Sequence, residues 1–245
     1  MLRYPDRSVP GIGIDLFGLP QVGMQVGSDA YEWGSLPDER PRFVSSFGKA
    51  FWASKREISQ SEYAALMTNN PSVNVGTNLP AENVTWTEAA EFCRRLTERE
   101  ASAGRLPEGY VFRLPTEAEW EYSARGGVSY WSWGSIDRTN LTVSAWFAPN
   151  SFFVTHPVGR LAPNAYGLQD MLGNVAEWCA DWYGPYPTGT VIDRVGPLFG
   201  TQRVIRGGNI LDSETGIRAA ARSSAPPEFR SRLVGFRVVL ARPVQ

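Results

Sequence analysis

Residue types able to do nucleophilic, acid–base or metal chemistry are sparse in this chain. His156 is its one histidine, and Cys93 and Cys179 are its two cysteines. A Ser-His-Asp or Cys-His site must therefore pass through His156, and no multi-histidine zinc or iron centre can be assembled. His156 precedes Pro157 in a THPVG turn, where a surface or hydrogen-bonding role suits it better than catalysis. Two thiols are too few for a disulfide scaffold. They could pair with each other, but two buried free thiols are expected. A P-loop, a G-x-G-x-x-G after a strand and a C-x-x-C are all absent. The carboxylates with the clearest spacing are Glu62, Glu88 and Glu119, which follow Ser59, Thr85 and Thr116 at the capping-box interval. There the carboxylate receives the N-cap amide, so these side chains are read as structural.

The elements that would position any site follow from the same boxes. ISQSEYAALM predicts a helix with Tyr63, Leu66 and Met67 on its apolar stripe, ended by the Asn70-Pro71 step. VTWTEAAEFCRRLTERE predicts a longer one, with Trp86, Ala89, Ala90, Cys93 and Leu96 on one face. RLPTEAEWEYSARGG predicts a third, stopped by Gly126-Gly127. Strand-like segments surround Val22–Gln25 and Phe51–Ala53, residues 1–20 read as an irregular N-terminal arm, and from Val128 onward the chain is turn-rich with short strands. One α+β domain over 21–245 is expected.

Composition narrows the partners. With 42% hydrophobic residues, 24 Gly, 18 Pro and 9 Trp in 245 residues, the chain can bury a sizeable core and is loop-rich rather than a helix bundle. Net charge is −1, which favours neither nucleic acid nor an anionic membrane surface. No basic start leads into an apolar run and no stretch is long enough to span a bilayer. A cytoplasmic address is the default expectation, with export by another route left open.

Three segments together resemble the formylglycine-generating enzyme family, or sulfatase-modifying factors: FRLPTEAEWEYSARGG at 112–127, NAYGLQDMLGNVAEWCADWY at 164–183, and RVIRGG…GFRVV within 203–239. GMQVGSDAYEWGSLPDERPRFV and REISQSEY fit as well, so the resemblance covers roughly 20–240. It implies an elaborated C-type lectin-like fold. Oxidase members of that family hold copper through two cysteines, and alignment on Arg218–Ser223 puts Glu214 and Ala219 at those positions. Soft Cu(I) needs thiolates, so the resemblance implies neither copper nor that catalysis here. The related iron-dependent sulfoxide synthases need three histidines, which one histidine cannot supply.

The resemblance also implies structural calcium, bound at positions matching Asp170, Gly173, Val175 and Glu177; two carboxylates with carbonyl oxygens suit a hard cation. Asp170 and Glu177 could equally serve only as acceptors for loop amides. A second implied site, Asn140 with the Leu141 carbonyl, lacks the Asp-Gly expected further on, near Asn150.

RGGNILDSETGIRAAARSSAPPEFRSRLVGFRVV, at 206–239, has ordered ends and a patternless middle. Some variable proteins of diversity-generating retroelements resemble formylglycine-generating enzymes, and in them the corresponding segment is rewritten by adenine-specific mutagenesis. An Asn codon can then become any residue except Glu, Gln, Lys, Met or Trp. With RGG, Ile217-Arg218-Ala219-Ala220, Arg222, Pro226-Pro227-Glu228, Arg230 and VGFRVV as framework, the gaps hold Asn209, Ile210, Leu211, Asp212, Ser213, Glu214, Thr215, Gly216, Ala221, Ser223, Ser224, Ala225, Phe229, Ser231, Arg232 and Leu233. All but Glu214 are reachable from Asn. This implies a non-catalytic protein whose C-terminal segment meets an unknown ligand, a protein or other macromolecule, through those side chains, Glu214 excepted. Arg206, Arg218, Arg222 and Arg237 are expected to be framework, partly buried and paired with backbone carbonyls or carboxylates. Two alternatives stand beside it: an undiversified binding or assembly relative, and an oxidoreductase using carboxylates with Tyr166, Tyr183 or Trp182.

Overall fold

Three helices begin where the capping boxes put them. Ser59, Thr85 and Thr116 each accept the amide three residues on, and Glu62, Glu88 and Glu119 return to the N-cap amides. The structure, a computed structural model, describes residues 4–128 and 138–244, and of Arg138 the backbone. Residues 1–3 of the arm and 129–137 of the turn-rich stretch lie outside the described residues. The chain opens with a hairpin of β1 (Arg7–Val9) and β2 (Ile14–Gly18), followed by β3 (Met24–Val26), β4 (Phe43–Ser46) and β5 (Trp52–Ser54). Helices α1 (Gln60–Ala64) and α2 (Trp86–Ser102) come next, then β6 (Val111–Arg113) and α3 (Glu117–Arg125). The second half holds β7 (Ala176–Trp182), β8 (Thr190–Ile192), β9 (Arg203–Arg206), β10 (Arg222–Ala225), β11 (Val234–Gly235) and β12 (Val239–Ala241).

The strands form three sheets, ordered β1-β2-β5-β12-β6, β10-β9-β7-β11 and β3-β4-β8. This α+β arrangement is the C-type lectin-like fold expected. It corrects the reading of the arm as irregular. Gly11 and Gly13 adopt left-handed φ in the turn, and beyond it Ile14 and Leu16 point into the core while Asp15 faces water, a period-two pattern too short to stand out. Helix α1 is shorter than the stripe predicts, because Ala65 is already its C-cap. On α2 the buried face is Ala89, Phe92, Cys93, Leu96 and Glu100, one position round from the expected one. Among the described residues no helix is long and apolar enough to cross a membrane.

Two hydrophobic clusters flank the central four-stranded sheet. One gathers Trp120, Tyr122, Met171 and Ile217, the other Phe92, Trp178, Ile205 and Phe236. Through them run buried ion pairs. Arg206 reaches Glu121, and donates to the carbonyls of Ala219 at 2.8 Å and Ala220 at 2.9 Å. Glu121 also accepts the Gly27 amide at 2.9 Å and Arg125 at 2.8 Å. Replacing one partner of such a pair leaves a buried charge uncompensated. Arg206→Met is expected to lower the unfolding free energy by about 3–5 kcal/mol, read from denaturant titration; a loss below 1 kcal/mol would remove Arg206 from the framework.

Candidate functional site

A groove of about 640 Å³ opens over the central sheet and is lined largely by the segment that the sequence left patternless. Its floor is Ala176, Ile205 and Val234, three residues of β7, β9 and β11, and its walls come from 206–234 and from Gly34 and Leu36. The chain leaves β9 at Gly207 and Gly208, both with left-handed φ. A Cβ at Gly208 would lie 2.7 Å from the Gly216 carbonyl, so the RGG turn requires glycine there.

Arginines hold the segment from beneath. Arg218, fully buried, forms a two-pronged pair with Glu39 at 2.5 and 2.9 Å, reaches Glu32 at 2.9 Å and donates to the Gly34 carbonyl at 2.7 Å. Arg222 grips Glu117 at 2.6 and 2.9 Å, and its guanidinium lies 4.0 Å from the centre of the Tyr186 ring. Burial alone would raise the Glu117 carboxyl, but Arg222, Arg206 and Arg194 outweigh it and hold the group below the usual range. At the far end Arg230 pairs with Glu88 at 2.7 and 2.8 Å, and the Pro227 carbonyl accepts the Trp86 amide at 3.0 Å. The four expected framework arginines are bonded as anticipated and are more deeply buried than expected.

Of the residues expected to meet a ligand, all line the groove except Ile210, Leu211, Ser213 and Arg232. Leu211 and Ser213 are nevertheless exposed, Leu211 at 42%. Two side chains depart from the expectation. Ile210 is fully buried, with its amide on the Asn174 carbonyl and its own carbonyl accepting Ser151 Oγ at 2.7 Å. Ala225 is buried where β10 pairs with Arg203. Both are scaffold, because the backbone around them is committed to neighbouring elements. The remaining polar groups form small local turns: Asn209 donates its amide and Nδ2 to Asp212, and Ser213 meets Thr215 at 2.9 Å. Sequence reasoning missed Gly34 and Leu36, which reach the groove only because Arg218 draws residues 32–39 against it.

At the positions aligned with the copper cysteines, Ala219 is fully buried and Glu214 half-buried. Cys93 and Cys179 are free and buried, in α2 and β7, and burial pushes both thiols up.

Of the residues implied for calcium, Asp170 and Glu177 meet at Arg237, which donates to the Asp170 carbonyl at 3.0 Å and to both Glu177 oxygens at 2.7 Å. Asp170 is buried, with Oδ2 accepting the Gly159 amide at 2.5 Å and Oδ1 lacking any partner. Burial lifts it to about 6, despite that amide and Arg237. Glu57, raised by burial and then by Asp170 and Glu177, completes an acidic trio. Both Glu177 oxygens are already engaged, by Arg237 at 2.7 Å and by Trp120 at 2.7 Å. Asp170 Oδ1 is thus left without a hydrogen bond beside a fully bonded Glu177, and among the described residues no group of three His, Cys, Asp or Glu side chains is arranged to hold a metal ion. At the second implied site the described contacts of Asn140, Leu141 and Asn150 are to neutral partners. The Leu141 carbonyl accepts the Ser144 and Ala145 amides, Thr142 donates to Asn140 Oδ1 at 3.2 Å, and Asn150 turns its Nδ2 toward the Ala145 carbonyl at 2.9 Å.

Comparison with known proteins accords with this geometry. A formylglycine-generating enzyme of Streptomyces coelicolor is 37% identical over 177 residues, covering 65% of this chain and 52% of that enzyme; the chain spans about half the length of the curated relatives it matches. Among solved structures, Treponema denticola variable protein 1 superposes with a TM-score of 0.85 at 30% identity, covering 98% of this chain and 99% of that one. PvdO from Pseudomonas aeruginosa superposes with a TM-score of 0.82 at 25% identity over the same shares. The sulfatase-modifying factor enzyme 1-like domain matches residues 20–242. With the sheets, the RGG turn and the buried arginines described above, the chain belongs to the sulfatase-modifying factor enzyme 1-like domain family.

Proposed function

We propose that this protein is a non-catalytic binding protein that displays the 209–233 segment as a ligand-contacting surface. The observation that carries the reading is the division of labour within one segment: Arg218 and Arg222 point inward into Glu39 and Glu117 while most of its small polar and apolar side chains line an open groove. Small polar residues supply adaptable hydrogen bonds, and Leu211 and Phe229, both over 40% exposed, supply apolar contacts. The likeness to a protein called a variable protein favours diversification of this surface. The ligand is a protein or other macromolecule rather than nucleic acid. A display surface tolerates change that a scaffold does not. Ser213→Tyr, Ser223→Arg and Phe229→Asp should each shift the unfolding free energy by less than about 0.5 kcal/mol, whereas Ile210→Ala should cost about 2–5 kcal/mol. Equal sensitivity at all four positions would sink the display reading. Diversification itself is tested in the flanking DNA, where a near-copy of the 206–239 coding region differing only at adenines is expected beside a reverse-transcriptase gene.

The absence of thiols at 214 and 219 argues against oxidation of cysteine substrates. Supplied with copper and a cysteine-containing peptide, the protein should consume no oxygen above the copper-only control; uptake that depends on protein concentration would restore the enzyme reading.

The proposal includes a structural calcium ion held by Asp170 and the Gly173 and Val175 carbonyls, with Glu177 shared between the ion and Arg237. Such an ion compensates the buried carboxylates and does no chemistry. An Asp170 carboxyl raised to about 6 favours the fold when protonated, and this contribution is lost as pH rises from about 4 through 6. Calcium binds the ionised form, so it should restore stability at pH 7 and act weakly at pH 5. Calcium at a hundred times its Kd adds about 2.7 kcal/mol. Thermal unfolding with calcium or chelator, at both pH values, reads the difference; an equal response at pH 5 and pH 7 would count against Asp170 as a ligand.

A further inference from the structure

A second cavity, of about 940 Å³, shares no lining residue with the groove over the central sheet. Its walls come largely from the 47–51 turn, from the ends of β6 and β12 and from residues 192–195 at the end of β8.

One buried cation stands in that wall. Arg194 is 5% exposed, although Asp193 and Val195 on either side of it are exposed. Asp193 sets the turn that sends it inward. Its φ of 47° is left-handed, a conformation that aspartate tolerates better than most residues. Its amide donates to the Ser46 carbonyl at 2.8 Å and its Oδ1 accepts the Gly48 amide at 2.8 Å. The Arg194 guanidinium then lies against the Phe43 and Tyr186 rings, 5.3 Å from the centre of each.

The charge of Arg194 is only partly matched. Nη1 donates to Asp181 at 3.3 Å and lies 3.7 Å from Glu117, which Arg222 already grips at 2.6 Å. Arg222 and Arg237 each spend the Nε–Nη2 edge of the guanidinium on one carboxylate. The same edge of Arg194 has no acceptor among the described residues, and neither nitrogen is sealed from solvent. Two parallel N–H groups on a rigid fork match the two oxygens of a carboxylate.

The rest of the lining favours an anion. Arg113 and Glu119 cancel in a two-pronged pair at 2.7 Å. Lys49 and Arg242 are exposed and form no ion pair among the described residues; Arg242 lies over the Tyr110 ring at 4.8 Å. Lys49, Arg242 and the free edge of Arg194 thus share the cavity with one other carboxylate, Asp193. Phe47, Phe51 and Ile192 add apolar wall, and apolar walls with a few placed polar groups characterise cavities that take small molecules.

We propose that this cavity binds an organic carboxylate with an apolar body, its oxygens on the Nε–Nη2 edge of Arg194 and its body against Phe47, Phe51 and Ile192. An inorganic anion would leave the apolar wall unused, and an uncharged ligand would leave the guanidinium edge unmatched. The site is separate from the display groove, and neither reading rests on the other.

The test titrates the full chain with octanoate by calorimetry, beside octan-1-ol, acetate and inorganic phosphate. Octanoate should bind at one site, and each of the other three at least about tenfold more weakly. Arg194→Lys keeps the charge but loses the fork, and should weaken octanoate by about tenfold or more. Ile192→Glu, at a position 69% exposed, adds a carboxylate to the wall and should weaken octanoate by a like factor, with the melting temperature unchanged. It decides the matter if Arg194→Lys does not fold. No octanoate binding, equal affinity for any of the other three probes, or octanoate affinity unchanged in either variant overturns the assignment.

Discussion

The fold of this protein depends on burying arginine charge against carboxylates far away in sequence. Arg206 with Glu121, Arg218 with Glu39, Arg222 with Glu117 and Arg237 with Glu177 join the last quarter of the chain to a turn near residue 39, to α3 and to β7. Desolvating these ions is expensive, and their value lies less in net stability than in the exactness of placement a two-pronged guanidinium contact imposes. A guanidinium that must meet two oxygens fixes position and orientation together. That is what an irregular segment needs, since its backbone has little ladder of its own between β9 and β10.

The groove follows from this arrangement. With the arginines pulling inward, the side chains between them are left with little structural duty. Those that retain one are identified by burial: Ile210, Ile217, Ala219, Ala220 and Ala225. The segment is therefore a mesh of fixed and free positions rather than a loop, and its fixed positions alternate with its free ones closely enough to keep the surface in shape.

Much of this was legible in the sequence. Helix starts could be read because a capping box is a local pattern with a single geometric solution. The framework arginines could be read because RGG and GFR bracket a stretch of a recognisable family. Other features were not legible. The β1–β2 hairpin hides behind Pro10, Gly11 and Gly13, which read as loop. Ile210 looked free because it falls in a gap between the framework motifs, which say nothing of its carbonyl being held by Ser151. The exposure of Phe152 and Phe153 was invisible, since two adjacent aromatics in a turn-rich stretch have the same pattern whether they cover a core or face water. The walls contributed by Gly34 and Leu36 depend on a contact between residues 184 positions apart, Arg218 with Gly34. No local reading finds that.

Strand β12 lies inside the five-stranded sheet, between β5 and β6, although it comes last of the described strands in the chain. Until it arrives, β5 and β6 have no common partner, and the sheet that carries the N-terminal hairpin is split. The 209–233 segment directly precedes β11 and that closing strand. A frameshift or premature stop anywhere within it therefore deletes β11 and β12 and leaves two open edges, which unfolds or aggregates the product. Only a chain read in frame through this segment therefore receives the strand that completes the sheet.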